Sequence, residues 1–198
     1  MSDLDFNTAG PQRSFEVIPA GTICDVQLNI KAGGAGEDGW LTRAANGNSE
    51  HLNCEYVVVG SVDGKYDKRK FWERLTMQGT TAKHDEAKEI SRRKIRAMIE
   101  SARGIRPDDK SETAKAALKV NGYAALDGLR FVVRLGIEPA RDSYPAKNII
   151  AEVVTPEQQN WRQVAQISAT TAATVPNATV QPTTTPPANA IVRPDWAG

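Results

Sequence analysis

The sequence is poor in the residues on which most chemistry depends. It holds 2 cysteines, Cys24 and Cys54, and 2 histidines, His51 and His84, in 198 residues. No CxxC pair occurs, and these four side chains lack the close spacing of zinc ligands, so no zinc site is expected. Free cysteines in a reducing compartment usually serve as small buried apolar groups, the role expected of both here. GxSxG, HExxH and the Walker loop are all missing, so the common routes to acyl transfer, zinc hydrolysis and nucleotide hydrolysis have no residues. A non-enzymatic protein is expected, without cofactor or metal. No run of about 18 apolar residues exists, which argues against a membrane span. The acidic start, Met1-Ser2-Asp3-Leu4-Asp5, lacks the basic and apolar regions of a signal peptide. The expected location is the cytoplasm of a bacterial host cell, with no membrane partner.

Charge of one sign is also lacking overall, since the formal net charge is +1. Its distribution is uneven. Residues 1–60 carry 3 Lys/Arg against 8 Asp/Glu, a net of −5, whereas residues 61–110 carry 14 against 9, a net of +5. A polyanion needs a local basic surface, which the second stretch can supply.

What is present is alternation. After polar residues 1–12, expected to be loose, Phe15-Glu16-Val17-Ile18 reads as strand up to a Pro19-Ala20-Gly21 turn. In Thr22–Ile30, Cys24, Val26, Leu28 and Ile30 alternate with Asp25, Gln27 and Asn29, the period of a half-buried strand. Residues 31–50 are glycine-rich and read as a long loop. Within them Gly34-Ala35-Gly36-Glu37-Asp38-Gly39 spells GxGxxG, but two acids stand where a pyrophosphate would lie, so no dinucleotide site is assigned. A second strand runs from His51 to Val59 with Leu52, Cys54, Tyr56 and Val58 on one face. Val62-Asp63-Gly64-Lys65 signals a hairpin, and a third strand follows from about Asp67 to Leu75.

Residues 82–103 change period. Ala87, Ile90, Ile95, Met98, Ile99 and Ala102 mark an amphipathic helix, with Gly104 placed for a C-terminal cap. A short helix through Glu112–Lys119 is expected next. Leu129, Phe131, Val133, Leu135 and Ile137 then alternate with Arg130, Val132 and Arg134, and Asn148–Val154 forms the last strand. Residues 167–198, rich in Thr, Pro and Ala, cannot bury enough apolar surface to offset their ordering entropy, and a disordered tail is expected.

Three strands, one helix and two strands is the order of an OB-fold, a five-stranded Greek-key barrel with its helix between the third and fourth strands. The expected domain spans residues 13–166. An α+β sheet with one covering helix is the competing architecture.

The third strand carries the functional signal. A period of two places Phe71 and Leu75 on one face and Lys68, Lys70, Trp72 and Arg74 on the other. Cations that follow phosphates around an aromatic that stacks a base suit a single strand of nucleic acid. A bland alternative has Trp72 capping the barrel while its lysines solvate an edge strand. Trp40 and Arg43 in the long loop, Arg130 and Arg134 on the fourth strand, and Arg141, Tyr144 and Lys147 near the last loop could extend the groove. The helix cations Arg92, Arg93, Lys94 and Arg96 read as a solvated face and are left out.

Pro19-Ala20-Gly21-Thr22, then Val62-Asp63-Gly64-Lys65-Tyr66 leading into Arg69-Lys70-Phe71-Trp72-Glu73-Arg74-Leu75, resemble a phage and prophage family. So do Leu126-Asp127-Gly128-Leu129-Arg130-Phe131-Val132-Val133 and Asn148-Ile149-Ile150. That family, largely catalogued as a domain of unknown function, consists of OB-fold single-stranded DNA-binding proteins encoded near replication or recombination genes. The resemblance covers residues 15–156 and implies single-stranded DNA as ligand and replication or recombination proteins as partners. Two departures are Cys24, where the family has an aromatic or aliphatic strand residue, and the length of the 31–50 loop. The alternative function is a protein-interaction module, such as a recombination mediator or virion component; homo-oligomerisation is left open.

Overall fold

The computed structural model describes residues 7, 8, 10, 16–142 and 144–166. The tail expected at 167–198, and most of the N-terminal segment 1–12, lie outside the described residues. The chain forms β1 (Ile23–Lys31), β2 (Thr42–Arg43), β3 (Ser49–Gly60), β4 (Lys70–Gly79), α1 (Ala82–Arg103), α2 (Glu112–Ala117), β5 (Arg130–Glu138) and β6 (Lys147–Val153). It is a mainly β protein: one antiparallel sheet and one long helix.

β1 is the centre of the sheet. It pairs with β3 on one side and β5 on the other; β4 continues outward from β3, and β6 from β5. The short β2 pairs with residues 50–51 of β3, beyond the stretch that β1 occupies. The 31–50 segment is therefore a small hairpin, with a bridge between Ala35 and Leu41, rather than a plain loop. Leu41, only 1% exposed, anchors it to the core.

The inward residues are those the alternation marks. Cys24, Val26, Leu28 and Ile30 from β1 meet Leu52, Cys54, Tyr56 and Val58 from β3, and Phe71, Leu75 and Met77 from β4. Burying each large side chain contributes about 1.5–3 kcal/mol. Tyr56 stacks on Phe71 with centroids 5.1 Å apart and meets Phe131 edge-on at 6.4 Å. Burial pushes the Cys24 thiol up to about 11 and the Cys54 thiol up to about 12, so both act as apolar fillers.

α1 starts at Thr81, whose side chain accepts a hydrogen bond from the His84 N–H, and ends at Gly104 with φ 68°. Only a residue that tolerates the left-handed region closes a helix this way. Its buried face carries Ser91, Met98, Ile99 and Ala102, with Ile95 partly buried. Ile90, expected in the core, is 57% exposed. It sits one residue, about 100°, away from Ser91, which takes the inward position instead.

Four further expectations are corrected. Residues 16–18 join no ladder. The side chain of Asn148 replaces one: its Oδ1 accepts from the Ile18 N–H at 2.8 Å, and its Nδ2 donates to the Ile18 carbonyl at 2.7 Å. β4 begins at Lys70, not near Asp67, because residues 68 and 69 together oppose Val58 (Lys68 N–H to Val58 O, 2.8 Å; Val58 N–H to Arg69 O, 2.9 Å). Lys68, at φ 67°, is the left-handed first residue of this bulge. Val132, expected outward among polar neighbours, is fully buried, because residues 154–166 return across the outer face and lay Val154, Val164 and Trp161 on it.

Finally, the sheet does not close into a barrel. β4 and β6 approach one another, but no ladder joins them among the described residues. Lys94 of α1 spans the seam, donating to Glu73 Oε1 of β4 at 2.6 Å and to the Ile150 carbonyl of β6 at 3.5 Å. The Tyr56 hydroxyl donates to Glu73 Oε2 at 3.3 Å.

Two substitutions test these polar joints by urea unfolding. Lys94→Met leaves a half-buried carboxylate unpaired and is expected to cost about 2 kcal/mol. Asn148→Ala strips partners from two buried backbone groups and is expected to cost about 2–3 kcal/mol.

Candidate nucleic-acid interface

The outer face is covered by the 154–166 segment over β5 and the start of β1, and open over β3, β4 and the end of β1. The covering segment is well tied. Trp161 Nε1 donates to the Ser101 carbonyl at 3.0 Å, and Arg162 meets Asp25 at 2.6 Å. Burial raises the Asp25 carboxyl, and Arg162 opposes that rise.

On the open part, strand register sets the neighbours. Lys70 stands opposite Val57, and Val57 opposite Gln27; Trp72 stands opposite Glu55, and Glu55 opposite Asn29; Arg74 stands opposite Asn53, and Asn53 opposite Lys31. Alternation with Phe71, Leu75 and Met77 in the core keeps Lys70, Trp72 and Arg74 outward. Trp72 is 59% exposed, so it does not cap the core.

Glu55 organises the middle row. Its Oε2 accepts from Trp72 Nε1 at 3.2 Å, and its Oε1 accepts from Lys70 Nζ at 3.0 Å and from Asn29 Nδ2 at 3.5 Å. The Lys70 ammonium above all, with help from Asn29 and Trp72, holds the Glu55 carboxyl below its usual range. The indole is thus pinned by its edge while much of the ring remains open to solvent. Lys31, Lys68 and Arg74 make no ion pair among the described residues. Close to Arg74, His51 is held below its ordinary value, first by burial and then by that guanidinium.

A cleft of about 1580 Å³ runs from this row to the start of β6. Lys31, Lys68, Lys70, Trp72, Arg74 and Lys147 all line it. Its charge is nearly balanced, six cations against five carboxylates. Comparison with protein-family models and with curated proteins finds no match. Among the described residues no group of three or more His, Cys, Asp or Glu side chains converges as metal ligands would.

Of the other sequence candidates, Lys147 lines the cleft and Arg130 extends the Lys70 row, while the rest scatter. Trp40 is half-buried and packs against the core. Arg43 is paired with Glu50 at 3.0 Å, Arg134 with Glu152 at 3.0 Å and Lys147 with Glu138 at 3.1 Å. Arg130 lies beyond Gln27 in the Lys70 row, donating to Gln27 Oε1 at 3.0 Å and to the Ala165 carbonyl at 3.4 Å. Arg141 and Tyr144 close the β5–β6 turn through their backbones, leaving Tyr144 76% exposed. Lys31, Asn29 and Glu55 escaped the sequence reading. The outward period of β1 and β3 contains all three, but only the register shows that they flank Trp72.

Because the folded carboxyl of Glu55 titrates low, its pairing stabilises the fold above the ordinary carboxylate range and is lost as pH falls through its own pKa. Carbon-detected NMR titration should find Glu55 below the usual value in the wild type and returned toward it in Lys70→Gln.

Proposed function

We propose that the protein binds single-stranded DNA without chemistry, on the open outer face of β3 and β4 and the cleft beside it. The observation that carries this reading is Trp72, an exposed indole pinned by its edge and flanked by Lys70 and Arg74. A base stacked on such a ring gains about 1–3 kcal/mol, and every base has a face to offer.

The strand order supports the same reading. With β2 set aside as an insertion, the sheet runs third, second, first, fourth, fifth, with the long helix between third and fourth. This is the order of an OB-fold left open between its third and fifth strands, and OB-folds bind oligonucleotides on the second and third strands and the loops beside them. Here those strands are β3 and β4, and the last loop leads into Lys147. The placement in phage replication or recombination rests on the sequence resemblance.

The near-balanced charge of the cleft favours, as a second reading, a module that docks a protein on the same fold. Fold alone does not decide between them.

Fluorescence anisotropy of a labelled thymidine 30-mer beside a duplex of equal length separates the two. Salt-sensitive binding to the single strand is the expected result; no binding at low salt would leave the docking module standing. Trp72→Ala should weaken the single-strand complex by about 1–3 kcal/mol at unchanged fold. Arg74→Gln should instead lower the slope of log affinity against log salt by about 0.7, the share of one phosphate contact.

A further inference from the structure

The Glu55 carboxylate sits where a cation, an indole N–H and a side-chain amide converge: Lys70 Nζ at 3.0 Å, Trp72 Nε1 at 3.2 Å and Asn29 Nδ2 at 3.5 Å. Such a trio of donors would serve a backbone phosphate equally well. The protein has filled the position with an acid of its own, next to Trp72, the one exposed tryptophan among the described residues. Glu55 keeps 27% of its side chain exposed, so it is neither locked in the core nor remote from an incoming strand.

Resting on the reading above, we propose that Glu55 is a specificity-determining residue that sets the preference for single-stranded over duplex DNA. A duplex offers phosphates but hides its base faces in the stack. Against a face whose nearest cation is already neutralised it gains little, since attraction of a polyanion comes almost wholly from cations that release counterions. A single strand still gains the Trp72 ring, because stacking needs no free charge. The internal anion therefore suppresses the contact common to both ligands and spares the one that only the single strand can make. Discrimination of this kind is achieved by weakening the wrong complex more than the right one.

Other pairs on the sheet and cleft follow the same pattern. Lys147 is matched by Glu138 and Arg134 by Glu152, whereas Arg74, on the same strand as Trp72, makes no ion pair among the described residues. Glu55 differs from these acids in touching the stacking residue itself. It also holds the ring, so its two roles must be separated. A glutamine in its place keeps a carbonyl oxygen for the indole N–H and removes only the charge; alanine removes both.

The test compares wild type, Glu55→Gln and Glu55→Ala by anisotropy on the thymidine 30-mer and the duplex, at low and moderate salt. Glu55→Gln is expected to bind duplex about tenfold tighter and the single strand about threefold tighter, so that the ratio of affinities falls. Its single-strand salt slope should steepen by about 0.7, as Lys70 becomes available to a phosphate. Adding Lys70→Gln to Glu55→Gln should abolish both gains. Glu55→Ala, with the ring released as well, should gain on duplex but not on the single strand. Wild-type binding with an unchanged ratio in Glu55→Gln overturns the inference and leaves the single-strand reading intact. Wild-type protein that ignores the thymidine strand at low salt overturns both.

Discussion

The fold depends on how its two outer strands are joined without pairing. β4 and β6 end the sheet on opposite sides of β1, and the core between them would lie open to water at that gap. Lys94 reaches from α1 into the gap and bonds one strand through Glu73 and the other through a main-chain carbonyl. Its chain can lie along apolar surface while only the ammonium meets polar groups. Tyr56 completes the joint from beneath, with its ring in the centre of the core and its hydroxyl on Glu73. Burial and the Glu73 carboxylate together keep that phenol protonated, well above its ordinary pKa, so it remains a donor. The helix is thus more than a lid: its position is set by an ion pair whose partner belongs to the strand that also presents Trp72.

The N-terminal side is handled by the same physics. Residues 16–18 bring main-chain groups to the core but find no strand to pair with, and Asn148 offers both a donor and an acceptor in their place. At the other end, Trp161 and Gln163 bond the carbonyls of Ser101 and Ala102, which a helix terminus leaves without intrahelical partners. Polar side chains finish what the sheet and helix leave incomplete. The apolar cover that the returning segment lays over Val132 explains why the outer face is open only around β3 and β4.

Alternation made most strands legible, and Gly104 and the positive φ of Asp63 and Gly64 are where propensity places them. Errors arose where a tertiary neighbour overrode a local pattern. Val132 reads as outward by period and is buried by residues more than twenty positions later. Ile90 reads as core by hydrophobicity, while the buried position is held by Ser91, whose hydroxyl donates to the Ala87 carbonyl one turn back. Lys94 reads as one of four surface cations on its helix, and only the approach of β4 and β6 makes it a bridge. The site divides in the same way. Lys70, Trp72 and Arg74 share a strand, so their common face was readable; Glu55, Asn29 and Lys31 come to them only through register, which single-strand periodicity does not encode.

The bulge at Lys68 and Arg69 reaches further than its own turn. Two residues there face one on β3, and this extra residue sets the phase in which all of β4 is read. With it, Phe71, Leu75 and Met77 fall inward and the tryptophan falls outward. Without it, if pairing resumed directly from Val58, the same letters would be read one step out of frame, with the indole driven into the core and the phenylalanine into water. A change that undid the bulge without shortening the chain, as when residue 68 could no longer hold its left-handed φ, would therefore act less like an altered loop than like a frameshift, changing the meaning of every side chain downstream on the strand.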